Sequence, residues 1–188
     1  NGKIADDYEI KGSFKDGKIN FLKDNKIENI NFDFNLMKEN FSLERLKFRN
    51  NKINFYSELL KIKKRDNRYF LEGILENKKL DLDKNFLEIF KFNFKDLDLQ
   101  NVTFSSKNKI FLEIDSKYNF KNVILNSEIS FDKLKYKKSE IIKSYFTDIN
   151  DLILLNDHKL TLNYENNKFH INGKGKIFLE DVENDIQY

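Results

Sequence analysis

Two imidazoles, His158 and His170, are present, and there is no cysteine. A zinc site needs three or four nitrogen, sulfur or oxygen ligands converging on one ion. Two histidines twelve residues apart do not supply that set, and their settings point elsewhere. His158 sits in the polar stretch Asn156-Asp157-His158-Lys159, which reads as a turn, while His170 lies between Phe169 and Ile171 and so falls on the wet side of a strand. The acid pairs Asp6-Asp7, Glu180-Asp181 and Asp148/Asp151 are of the type used in acid–base catalysis or Ca²⁺ binding. In a chain with 31 acids coincidence explains them better, and no oxygen-ligand loop of EF-hand type surrounds them. Gly173-Lys174-Gly175-Lys176 lacks the spacing of a phosphate-binding loop; it reads as a strand whose glycines admit close backbone approach. There is no Gly-x-Ser-x-Gly nucleophile elbow. The residues therefore nominate no catalytic group, no metal ligand and no cofactor, and a non-enzymatic protein is expected.

Charge narrows the partners. Thirty-four basic and 31 acidic residues among 188 leave a net +3, which makes no case for nucleic acid. Aromatic residues interleaved with lysine could stack on bases, but here they share the face a sheet must bury to fold. No apolar run approaches the length of a membrane-spanning helix. The chain opens on Asn1 with no basic segment followed by an apolar stretch, so no signal peptide is expected within it; it reads as a mature form or, better, as a piece excised from a longer protein, with residues 1–188 forming one domain. Phe (19) and Tyr (8) are abundant, while Pro, Trp and Cys are absent. A genome biased toward A and T would produce the same skew, and the missing cysteine excludes disulfides.

The elements that would position any site are strands. Tyr8, Ile10, Gly12 and Phe14 alternate with polar residues. So do Ile30, Phe32, Phe34 and Leu36, then Tyr69, Leu71, Gly73 and Leu75. The pattern returns at Phe90, Phe92 and Phe94, at Ile110, Leu112 and Ile114, and at Leu160, Leu162 and Tyr164. Strict alternation puts one face in an apolar interior and one in water, as in half-buried antiparallel strands. The polar positions, mostly Lys, Glu, Asp and Asn, are expected to form cross-strand charge pairs. Polar corners recur at Asp16-Gly17-Lys18-Ile19, Asp24-Asn25-Lys26-Ile27, Asn50-Asn51-Lys52-Ile53, Asp66-Asn67-Arg68-Tyr69 and Asn166-Asn167-Lys168-Phe169. Asn, Asp and Gly tolerate positive φ, so all five read as hairpin turns.

A second pattern spaces apolar residues as φ-x-x-φ-x-φ, with φ here an apolar residue: Ile27/Ile30/Phe32, Leu43/Leu46/Phe48, Phe94/Leu97/Leu99, Leu99/Val102/Phe104 and Phe131/Leu134/Tyr136. A one-residue slip reverses which side chains face inward, and a β-bulge restores the facing. These sites predict bulges that bend the strands. Ser139 to Asp151 instead carries Ile141, Ile142, Tyr145, Phe146 and Ile149 at helical spacing, which predicts one short helix near 139–151. The expected whole is all-β: about fourteen strands of roughly 4–9 residues with at most that one helix.

Segments such as Ile27-Glu-Asn-Ile30-Asn-Phe32-Asp-Phe34, Phe41-Ser-Leu43-Glu-Arg-Leu46-Lys-Phe48 running to Ile53-Asn-Phe55, and Tyr69-Phe-Leu71-Glu-Gly73-Ile-Leu75 running into Leu80-Asp-Leu82 resemble repeats of the AsmA/TamB-like family. The resemblance covers about residues 8–180. It implies an elongated, curled antiparallel sheet with an open apolar groove (a β-taco) in the periplasm of a diderm bacterium, tethered to the inner membrane by a segment outside this chain. It further implies passage of phospholipids between membranes or help in outer-membrane assembly, and an outer-membrane β-barrel partner.

Alternation then nominates the groove-facing side chains. They are Ile30, Phe32, Phe34, Leu46, Phe48 and Phe55, followed by Leu71, Phe92, Phe94, Phe104 and Leu112, then Phe120, Ile129, Phe131, Leu162 and Ile171. Phospholipid acyl chains would lie against them, held by apolar burial at about 25 cal/mol per Å². Unpaired strand edges at the two ends would allow end-to-end self-association. The alternatives are a closed β-sandwich structural or adhesion module without ligand, a lipopolysaccharide-transport groove, a small β-barrel binding protein and, last, an enzyme.

Overall fold

The computed structural model describes residues 8–21, 25–50, 53–82, 97–98, 102–137, 152–179 and 182–187. It is all-β, as the alternation predicts. Eleven strands follow in chain order: β1 (Glu9–Phe21), β2 (Asn25–Met37), β3 (Asn40–Asn50), β4 (Ile53–Arg65), β5 (Arg68–Leu82), β6 (Leu97–Asp98), β7 (Val102–Ile114), β8 (Phe120–Lys137), β9 (Leu152–Glu165), β10 (Lys168–Leu179) and β11 (Val182–Gln187). They pair antiparallel in the order β1-β2-β3-β4-β5-β7-β8-β9-β10-β11, with β6 beside β8. The helix predicted near 139–151 lies outside the described residues, as do Phe92 and Phe94.

Most of these strands are longer than the 4–9 residues expected; β8, for example, runs 18 residues and β5 runs 15. The cause is that several predicted bends lie within strands. In β2 the register steps from Glu28↔Arg49 to Asn31↔Lys47, leaving one extra residue, and Asn29 there has φ 53°. In β3 the next step, Asn31↔Lys47 to Asp33↔Glu44, leaves one extra residue on the opposite strand, with Arg45 at φ 51°. These are the Ile27/Ile30/Phe32 and Leu43/Leu46/Phe48 sites. The two bulges cancel, so the register beyond them is restored and each strand keeps its apolar side inward. The Asn31 side chain joins neighbouring bulges: its Oδ1 accepts from the Asp16 amide at 3.1 Å and its Nδ2 donates to the Asn29 carbonyl at 2.7 Å.

The same device corrects one predicted corner. Asp16-Gly17-Lys18-Ile19 is no hairpin but a bulge inside β1, between the pairs Phe14↔Phe32 and Gly17↔Ile30, with Asp16 at φ 55°. Gly17 is there for close approach: a Cβ would come within 2.1 Å of the Phe14 ring and 3.2 Å of Ile30. The corners at Asp66-Asn67 and Asn166-Asn167 are turns, with φ of 47° and 58° in the first and 51° and 59° in the second. Two successive positive φ values make the two-residue turn that matches strand twist. Asn50 pairs with Ile53, so the strands reverse at that predicted corner; Phe21 pairs with Asn25, so the first reversal comes earlier than predicted, and Asn25, Lys26 and Ile27 already belong to β2.

The described residues pack as two compact units. One falls within Asn1–Asn77, Lys107–Ser127 and Asn163–Phe169, the other within Lys78–Ser106, Glu128–Leu162 and His170–Tyr188. In the first unit Ile30, Leu46 and Leu60 form the core, with Ile27, Phe32, Leu43, Phe48 and Leu75 packed around them.

Candidate functional site

Cross-strand register assembles the apolar face of the first unit. Phe14 faces Phe32 and Gly12 faces Phe34 across β1–β2. Phe34 faces Leu43 across β2–β3. Leu46 faces Ser57, and Phe48 faces Phe55, across β3–β4. Ile62 faces Leu71 across β4–β5. Ring contacts follow: Phe14–Phe32 and Phe48–Phe55 are stacked with centroids 5.1 Å apart, and Phe32–Phe34 meet edge-on at 6.4 Å. Of the nominated residues, Ile30 (8% exposed) and Leu46 (6%) are core. Phe32, Phe34, Phe48, Phe55, Leu71 and Leu112 are half-buried, while Phe120 is 65% exposed.

In the second unit Phe104 and Phe131 pack with centroids 5.6 Å apart. Ile129 and Leu162 are half-buried, and Ile171 is 55% exposed. The nominated set is therefore not one uniform wall. Ring contacts and register join Phe32, Phe34, Phe48 and Phe55 to the Ile30/Leu46 core, and separately join Phe104 to Phe131; Phe120 and Ile171 stand out in solvent.

The opposite face is ionic. Glu28 binds Lys26 and accepts from Arg49 at 2.8 Å; Lys26 foremost, then Arg49, lowers its pKa to about 2. Asp33 accepts from Ser13 at 2.5 Å and from Arg45 Nε at 2.9 Å, and these bonds, Ser13's first, hold its carboxyl below its ordinary value. Arg68–Glu113 at 2.5 Å and Lys107–Glu76 at 3.3 Å continue the pattern. These are the charge pairs the polar positions predict, each worth little in water.

Near the register shift of β4 against β5, between Tyr56 and Leu60, lies a shallow hollow of about 420 Å³, lined by Tyr56, Leu59, Ile74 and Phe111 with Glu58 and Glu76 among its charged residues. Sequence reading missed it. Its signal is the adjacent pair Leu59-Leu60, since two neighbouring apolar residues in a strand cannot both point inward without a bulge.

His158 is not in a turn. It lies inside β9, 5% exposed, beside Asp157 at φ 50°. Its ring covers Gly175, where a Cβ would meet it at 2.4 Å, and Nε2 is 3.2 Å from the Lys176 carbonyl. The glycine pair predicts close backbone approach; at Gly175 the group that comes close is instead a side chain, the imidazole. His170 is exposed, and so are its neighbours Phe169 and Ile171, so the alternation does not separate an inner from an outer side there. Among the described residues no three His, Cys, Asp or Glu side chains are grouped to hold a metal ion. The chain matches no family model, no curated protein and no solved structure.

Proposed function

We propose that the apolar face of this sheet binds phospholipid acyl chains, in a non-enzymatic segment of an envelope protein that moves phospholipids between membranes or assists outer-membrane assembly. One observation carries the reading: Phe32, Phe34, Phe48 and Phe55 adjoin a packed core yet stay only half-buried. Phenyl rings lined up across β2–β4 with accessible surface offer apolar area that an acyl chain can cover, at about 25 cal/mol per Å². The contact is non-directional, so affinity comes without head-group selectivity and a chain can slide along the rings. The ionic opposite face stays in water. An outer-membrane β-barrel partner and a periplasmic setting belong to the same proposal through the family resemblance. So does end-to-end association through β1 and β11, which end the strand order; light scattering that stays monomeric at high concentration would remove that part.

The test is photo-crosslinking with a phospholipid carrying a diazirine on its acyl chain, read by peptide mass spectrometry. Adducts concentrated on Phe32, Phe48 and Phe55, with few on Lys47 or Arg49, are expected. Labelling that is absent, or spread evenly over both faces, would leave a closed structural module instead.

A further inference from the structure

Hairpin tips of the first unit lie along one end of its strands. The β2–β3 tip touches the β4–β5 tip, because the Lys64 amide donates to the Glu39 carbonyl at 2.8 Å. The β4–β5 tip touches the β7–β8 tip, because Tyr69 stacks on Tyr118 with centroids 6.4 Å apart and planes 7° from parallel. The β9–β10 tip brings Tyr164 against Phe169 at 4.5 Å. Aromatic residues at these tips are not put away: Tyr118 is 78% exposed, Phe120 65% and Phe169 64%. Tyr118 is fixed there, since the Asp115 carboxylate accepts from the Lys117 and Asn119 amides at 2.8 and 2.9 Å and the Tyr118 amide donates to the Asp115 carbonyl.

One of these tips, β4–β5, is basic, and the others are charge-balanced. Residues 63–69 hold Lys63, Lys64, Arg65 and Arg68 against Asp66, a net +3, and Lys64 sits 6.0 Å over the Tyr69 ring. The β7–β8 stretch 113–121 balances Glu113 and Asp115 with Lys117 and Lys121, and Glu165 balances Lys168 in the β9–β10 tip. Exposed tyrosine and phenylalanine beside surplus cations is the composition that rests at a lipid head-group layer: rings enter the acyl boundary and cations meet anionic phosphates.

We infer that this row of aromatic hairpin tips, cationic at β4–β5, is a docking surface for an anionic bilayer. The inference deepens the lipid-binding reading by naming the membrane contact, but it rests on the tips alone and the two can fail separately. The chain has no tryptophan, so Tyr118→Trp gives a single reporter at the tip and Asn54→Trp a control on the polar face, where Asn54 is exposed. Mixed phosphatidylglycerol–phosphatidylcholine vesicles should shift the indole emission of the Tyr118→Trp variant to the blue, and brominated lipid should quench it. The indole of the Asn54→Trp control should not respond. In co-sedimentation of the unaltered chain, pure phosphatidylcholine vesicles and high salt should weaken binding. Lys64→Gln with Arg65→Gln should lower partitioning by roughly 25-fold, at about fivefold per lost cation. Tyr118→Ser with Phe169→Ser should lower it comparably, while the circular dichroism spectrum and acyl-chain crosslinking at Phe48 persist. No binding to phosphatidylglycerol vesicles, or binding indifferent to both double variants, overturns the docking surface whatever the crosslinking shows. Vesicle binding without crosslinking at Phe48 would keep the docking surface and remove the acyl-binding face.

Discussion

The centre of β2–β4 and the hairpin tips of the same unit use similar side chains in opposite ways. In the centre, Ile30, Leu46 and Leu60 are 6–8% exposed, and Phe48, itself stacked on Phe55, packs against them. At the tips, Tyr118, Phe120 and Phe169 are 64–78% exposed. An apolar residue in an alternating strand is thus no guarantee of burial. What decides is whether strands on both sides bring side chains onto it. Leu46 has β2 and β4 as neighbours, whereas Tyr118 projects beyond the last strand pair of its hairpin. Stability should therefore sit in the centre and surface binding at the tips.

The sharpest way to break that contrast is to truncate one residue of each kind. Leu46→Ala leaves a cavity among Ile30, Leu60 and their neighbours and should cost about 3 kcal/mol of unfolding free energy. Phe120→Ser should cost under about 0.5 kcal/mol, as surface substitutions do. Urea denaturation followed by far-ultraviolet circular dichroism measures both. Equal losses would mean that the tips are part of the core.

A smaller effect tests how closely the centre is packed. Gly73 faces Leu60, and a Cβ added there would lie 2.2 Å from Leu60 Cδ2 and 2.8 Å from the Leu59 carbonyl oxygen. A methyl group can be relieved from the leucine by rotation but not from the backbone. Gly73→Ala should cost about 1–3 kcal/mol. A neutral result would show that β4 and β5 yield at this point, beside the hollow at their register shift.

The bulges come next. Asn29 at φ 53° sets which side of β2 faces inward from Ile30 onward. Asn29→Gly should be neutral or slightly stabilising, while Asn29→Val should lose about 1–2 kcal/mol, because a β-branched residue resists the left-handed region. If valine is as well tolerated as glycine, the phasing of Ile30 and Leu46 does not depend on that conformation.

Much of this was legible in the residues. Alternation fixed the class and the faces, and the φ-x-x-φ-x-φ spacing located the Asn29 and Arg45 bulges because a missing step in a two-residue period has few other remedies. The spacing could not show strand length, since a bulged strand and two short strands give the same pattern. It misread Asp16-Gly17 because the pair suits a hairpin and a bulge equally; only the fit of Gly17 under Phe14 and Ile30 separates them. His158 was misplaced for a related reason. Asn156-Asp157 looks like a turn, but Asp157 takes a single left-handed step and the strand continues, turning the imidazole onto Gly175. Of the nominated face, the half-buried rings of β2–β4 were found by alternation, whereas the exposure of Phe120 and Ile171 depends on neighbours that periodicity does not count.

The smallest effect concerns the polar side of β2, directly beside its core-facing residues. Glu28 holds Lys26 and Arg49, which bring its folded pKa from an ordinary 4.5 to about 2. A carboxylate with a depressed folded pKa adds stability that is fully present above its unfolded value and is lost as the pH falls through the folded one. Its contribution should therefore be intact at neutral pH and fade between about 4.5 and 2. Because the pair lies at the surface, the loss should be small and further reduced by salt. Glu28→Gln should make the unfolding free energy flatter across that acid window while leaving Leu46→Ala as damaging as before. A mutant whose acid limb is as steep as the parent's would shift the acid sensitivity to Asp33 and Asp115, whose carboxyls are also held below their ordinary values. An acid limb that vanished altogether would mean that one surface ladder governs the interior behind it, and the separation between packed centre and ionic face would fail.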